Sequence, residues 1–91
     1  MSLLNRLFGK KPVKENAEIY KGFRIFVAPM REGSKYRLAA RIEKDVDGAT
    51  LAQQVIRADT FDDLEQANAI SLAKSKQIID EQGDSLFRSQ S

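Results

Sequence analysis

Arg24, Arg37, Arg41 and Arg57, with Phe26 among them, are the side chains of this chain best suited to gripping a partner. A guanidinium forks onto a phosphate and an aromatic ring stacks on a base, so these residues gathered on one surface would suit nucleic acid. The same residues also describe the solvated face of an ordinary antiparallel sheet, and Glu43 would dilute their charge. Two carboxylate groupings invite a second chemistry. Asp59, Asp62 and Asp63 could do acid/base work or hold magnesium, but capping of a helix explains them more simply. Asp45-Val-Asp-Gly48 has the start of a calcium loop, yet the later ligands and the distal Glu are missing at the required spacing, so a hairpin turn is the better reading. The chain has no Cys and no His, which removes thiolate chemistry, disulfides, histidine bases and nearly every structural zinc site. No phosphate loop, dinucleotide fingerprint or nucleophile elbow is present, and the expectation is a non-enzyme without metal or cofactor.

The elements that must position those arginines follow from periodicity. A chain of 91 residues is one domain whose thin core would gain from dimerisation. Tyr20-Lys-Gly-Phe23 predicts a tight turn between a short strand from about Ala17 and a second strand, Phe23 to Ala28, that stops at Pro29. Residues 30–34 read as a loop. Lys35 to Lys44 alternates cleanly, with Tyr36, Leu38, Ala40 and Ile42 inside and Arg37, Ala39, Arg41 and Glu43 outside. Asp47-Gly48 predicts a hairpin into a fourth strand, Ala49 to Ala58. Its register has two versions. A tight two-residue turn places Val55 opposite Ala40 and inside; an added bulge residue between Asp45 and Thr50 places Ile56 opposite Leu38 instead. The bulged version is preferred, because it buries Ile56 and sends Arg57 to the side of Arg37 and Arg41 rather than under a helix.

Thr60-Phe-Asp-Asp63 resembles a capping box, so a helix is expected from Phe61 to Gln82 with Gly83 as its C-cap. Phe61, Leu64, Ala67, Leu72, Ile78 and Ile79 share one side of it, and Leu38, Ile42, Ile25, Leu64 and Ile78 form the expected core. The fold class is α+β: a three- to four-stranded antiparallel β-meander with one long C-terminal helix packed on one face. Residues 18–83 form the domain and 84–91 a tail, whose Leu86 and Phe87 either pack on their own chain or touch another subunit, as would Ile70. Residues 1–17 form an amphipathic segment and linker, with Leu3, Leu4, Leu7 and Phe8 on one side of two helical turns. This opening is too short and too interrupted for a signal peptide or a spanning helix, so a cytoplasmic protein without integral membrane association is expected.

Charge is unevenly divided: residues 1–44 carry +7 and residues 45–91 carry −5. Such polarity fits an anionic partner for the first half or pairing between copies. A double-stranded-RNA-binding domain also ends in strands and a helix, but it needs Lys where this helix begins with Asp62, Asp63 and Glu65. Only one long helix follows the sheet, so no helix-turn-helix can be built.

Tyr20-Lys-Gly-Phe-Arg-Ile25, Tyr36-Arg-Leu-Ala-Ala-Arg-Ile-Glu-Lys44, Ile56-Arg-Ala-Asp-Thr-Phe61 and Ile78-Ile-Asp-Glu-Gln-Gly83 resemble segments of the small bacterial HlyU family of haemolysin transcriptional activators. Ser2-Leu-Leu-Asn-Arg-Leu-Phe8 is similar too. The resemblance implies a cytoplasmic bacterial regulator. It carries no catalytic or DNA-contacting residue over to this chain. Two modes stay open: contact with a protein partner or a second copy, which is preferred, and direct DNA binding through Arg24, Arg37, Arg41 and Arg57.

Overall fold

The computed structural model describes residues 17–88. The segment holding Leu3, Leu4, Leu7 and Phe8 lies outside the described residues. The fold class is α+β, as expected. Five strands, β1 (Glu18–Tyr20), β2 (Phe23–Val27), β3 (Met30–Glu32), β4 (Lys35–Val46) and β5 (Ala49–Phe61), precede the long helix α1 (Leu64–Gln82) and a single turn, α2 (Ser85–Arg88).

The two tight turns form where the sequence placed them. Lys21 and Gly22 have φ of 51° and 87°, and Asp47 and Gly48 have 51° and 83°. Two successive positive φ values twist a two-residue loop to match its flanking strands, and Asp and Gly tolerate that geometry best. β4 is the central strand. β5 lines one of its edges, while β2 and β3 lie end to end along the other. Their register is continuous across the interruption: Val27 faces Ala40 and Met30 faces Arg37. The expected loop at residues 30–34 is therefore partly strand. Pro29 breaks the ladder because it has no N–H, but it does not turn the chain away.

The preferred bulged register for the last hairpin is overturned. Val46 pairs with Ala49 directly, Ala40 with Val55 and Ala39 with Ile56. Val55 is buried and Ile56 is 44% exposed, the reverse of the expectation. The tight Asp47-Gly48 turn decides this, since its geometry sets the register of the strands it joins. An irregularity does occur, but further along, between Arg37 and Ala39, where β5 accommodates extra residues before Thr60.

α1 begins three residues later than expected. Thr60 and Phe61 belong to β5. Asp63 is the N-cap, in extended conformation, and its side chain accepts from the Gln66 N–H at 3.2 Å. Asp63 satisfies an orphan donor of the first turn, and Glu65 adds negative charge where the helix dipole favours it. Gly83 caps the other end, its N–H donating to Ile79 O at 2.8 Å.

The helix faces the sheet with Ala67, Ser71, Ser75, Ile78 and Ile79. Small residues four apart let the helix lie close to the large apolar side chains of β2 and β4, above all Phe23, Ile25, Leu38 and Ile42. Leu64, expected in the core, is 45% exposed, because the later start leaves it at the first turn beyond the sheet. Leu86 is buried and Phe87 stacks on Phe23, with ring centroids 6.0 Å apart. Of the two readings for these residues, packing on the same chain is the one found.

Candidate functional site

The face of the sheet opposite α1 carries the residues singled out for binding. Alternation along β2 puts Arg24 and Phe26 there, and alternation along β4 adds Arg37 and Arg41. The structure thus brings four of the five together. Arg57 is the exception and corrects the expectation. With Val55 turned inward, Arg57 two residues later falls on the helix side, where it lines a hollow of about 220 Å³ with Gln53, Val55, Ile78, Gln82 and Leu86.

Each arginine on the open face already has an acidic partner. Arg24 makes a two-pronged contact with Asp45 at 3.1 Å on both oxygens and reaches Glu43, its cross-strand neighbour, at 3.2 Å. Arg41 donates to the other Glu43 oxygen at 2.7 Å and lies over the Phe26 ring at 4.4 Å, a cation–π contact between directly opposed residues. Arg37 pairs with Glu32 and also donates to the Arg57 carbonyl at 3.3 Å. The Arg24 guanidinium holds Asp45 below the usual carboxylate range, with a smaller contribution from the Thr50 hydroxyl, and Asp45 in turn raises Arg24. The face is a net of compensated charges.

Between those charges stand apolar side chains. Ile19, Met30 and Ile56 project from the same face and are among the most exposed large hydrophobic residues described. Sequence reasoning missed two parts of this surface. Glu32 and Met30 were assigned to a loop, and Ile56 was placed inside by the wrong register. The Arg41–Glu43 pair was legible, since residues two apart on a strand share a face.

A second concavity opens on the helix side, between the β1–β2 edge and the first half of α1. It has a volume of about 510 Å³, an apolar floor of Ile25, Val27 and Leu72, and Glu18 and Glu65 on its rim. A polar latch closes the far end of that edge. Tyr20 donates to both Asp80 oxygens at 3.0 Å and Lys21 donates to one at 2.7 Å, which lowers the Asp80 pKa and raises that of Lys21. Among the described residues, no group of Asp and Glu is arranged to hold a metal ion.

The family described as transcriptional activator HlyU matches residues 2–87. The chain belongs to the HlyU family. Membership supports a regulator of the transcriptional-activator type and suggests a non-enzyme. No curated protein and no solved structure matches the chain. No helix among the described residues is long and apolar enough to cross a membrane.

Proposed function

We propose that this HlyU-family chain regulates transcription from the cytoplasm through protein–protein contacts made by its open sheet face, and not by gripping nucleic acid itself. The observation that carries this reading is the pairing of Arg24, Arg37 and Arg41 with Asp45, Glu43 and Glu32. A phosphate approaching this face meets carboxylates already seated on the guanidiniums, and taking their place means breaking charge-assisted bonds for no net gain in neutralisation. A protein surface asks less of it. Exposed Ile19, Met30 and Ile56 supply apolar area, Phe26 with Arg41 supplies the type of anchor that dominates interfaces, and the ion pairs form a polar surround.

The test is binding to duplex and single-stranded DNA across a salt series. The expected outcome is weak, non-saturating association that vanishes near physiological salt. Saturable binding whose logarithmic salt slope falls by about 0.9 for each of Arg37→Ala and Arg41→Ala would instead establish direct phosphate contact.

A further inference from the structure

The two edges of this sheet are treated differently. β1 is an edge of 3 residues that begins with Glu18 and is followed by Lys21. β5 is 13 residues long, pairs only with β4 among the described residues, and carries no charged residue or proline from Ala49 to Ile56. Short or charged edges are how sheets avoid pairing with other chains, and β5 lacks both devices along this stretch.

Two polar groups on β5 also lack a protein partner among the described residues. Gln53 Oε1 is buried without a donor, its amide nitrogen being turned to the Gln54 carbonyl at 3.3 Å. The Arg57 guanidinium, at the mouth of the same 220 Å³ hollow, makes no hydrogen bond or ion pair with a described residue. One is a buried acceptor without a donor and the other a solvent-exposed cation without a partner among the described residues, four residues apart on one side of a strand.

We propose that β5 pairs antiparallel with β5 of a second copy, about a two-fold axis at Val55. The proposal rests on the reading that protein contacts are the working mode of this chain. A two-fold perpendicular to the sheet brings residues of like facing together, and with Val55 opposite its own copy, Gln53 falls opposite Arg57 of that copy and Arg57 opposite Gln53. Each buried acceptor meets a guanidinium, twice over.

The backbone agrees. Odd-numbered residues from Ala49 to Val55 turn their N–H and C=O toward β4, as the directly paired residues beside a two-residue turn require, so Gln54 and Ile56 turn theirs outward. In this register Gln54 lies opposite Ile56 of the copy, and four N–H···O bonds close the joint. Gln53 and Arg57 then occupy the non-hydrogen-bonded positions, where Cα atoms approach to about 4.5 Å and side chains meet most closely. Both helices lie on one side of the continuous sheet, and the two open faces merge into one.

Sedimentation of the full chain tests this. Wild type is expected to be a dimer at submillimolar concentration. Ile56→Pro removes an N–H that the chain's own fold does not use, so it should give a monomer whose thermal midpoint does not vary with concentration and equals that of wild type diluted to its monomer. Arg57→Glu should raise the dimer Kd by about tenfold or more, and Gln53→Glu, which places a carboxylate opposite the arginine, should lower it. Because the chain has no cysteine, Val55→Cys should form an interchain disulfide on mild oxidation, while Lys74→Cys, on the helix, should not. A wild type that stays monomeric overturns the pairing, as does a dimer that persists in Ile56→Pro or a Val55→Cys that fails to cross-link. None of these outcomes bears on the DNA-binding series, so the two readings fail separately.

Discussion

At the scale of single residues, the polar contacts of this domain are mostly surface ones, and their worth shows in pH dependence. Asp45 and Asp80 both have depressed pKa values, from Arg24 and from Lys21 with Tyr20. A carboxyl depressed on folding contributes stability above its unfolded pKa, near 3.9, and loses it as pH falls through the folded value. Thermal midpoints should therefore hold steady through neutral pH and decline below about pH 4, and Asp80→Asn should flatten part of that decline. Lys21 has the opposite sign: its pKa is raised, so its contribution persists to alkaline pH and is lost only above the ordinary lysine value. An acid limb identical in wild type and Asp80→Asn would show that the Tyr20–Lys21–Asp80 latch is open in solution.

At the scale of elements, the place where α1 begins separates two capping assignments. Asp63→Ala should lower stability by about 1 kcal/mol, and Thr60→Ala should not act through capping, because Thr60 is the last residue but one of a strand. Chemical denaturation of both variants distinguishes them. Four of the five strands, both tight turns, the helix and its Gly83 cap were legible in the sequence, since each rests on local chemistry that few alternatives satisfy. The register of β5 was not. Val55 and Ile56 are both β-branched and apolar, so the pattern allowed either to face inward, and a concern for burying Arg57 tipped the choice the wrong way. The structure resolves that concern without a bulge at the turn, because β5 lies far enough from the helix for Arg57 to reach solvent along the hollow's edge. β3 was hidden for a related reason: proline signals the end of a ladder, but a strand resumed in the same register leaves no mark in composition. The arginine-bearing face was read correctly for Arg24, Arg37 and Arg41, while its neutralisation by Glu32 depended on that hidden strand.

At the scale of the whole molecule, the domain has one thin core, and the tail belongs to it. Leu86 is 1% exposed against the residues of β5 and α1, and Lys44 ties Asp84 to β4 at 2.8 Å. Removing residues 84–91 should therefore destabilise the domain by about as much as a large-to-small core substitution, some 2–5 kcal/mol. Leu38→Ala, at the centre of the same core, should cost a similar amount, which is a large fraction of the stability expected for a single small domain. Melting curves of the truncated chain and of Leu38→Ala give the comparison. A truncated chain that melts with wild type would return residues 84–91 to the status of a dispensable tail.

Ser71, wholly buried on α1, accepts a hydrogen bond from the Ala39 N–H at 3.2 Å, at the point where Ala28 donates to Ala39 O but receives nothing back. Apolar contacts alone would tolerate a helix sliding lengthwise, since one methyl group substitutes readily for another. The hydroxyl does not tolerate it. A slip of one helical turn, about 5.4 Å, that brought Ala67 into its place would leave the Ala39 amide buried without a partner. The break at Pro29 thus works as a keyhole and Ser71 as its key, fixing the phase of helix on sheet. Ser71→Ala would keep the shape of the core yet blur that alignment, seen as broadened amide resonances along α1 before any fall in helix content.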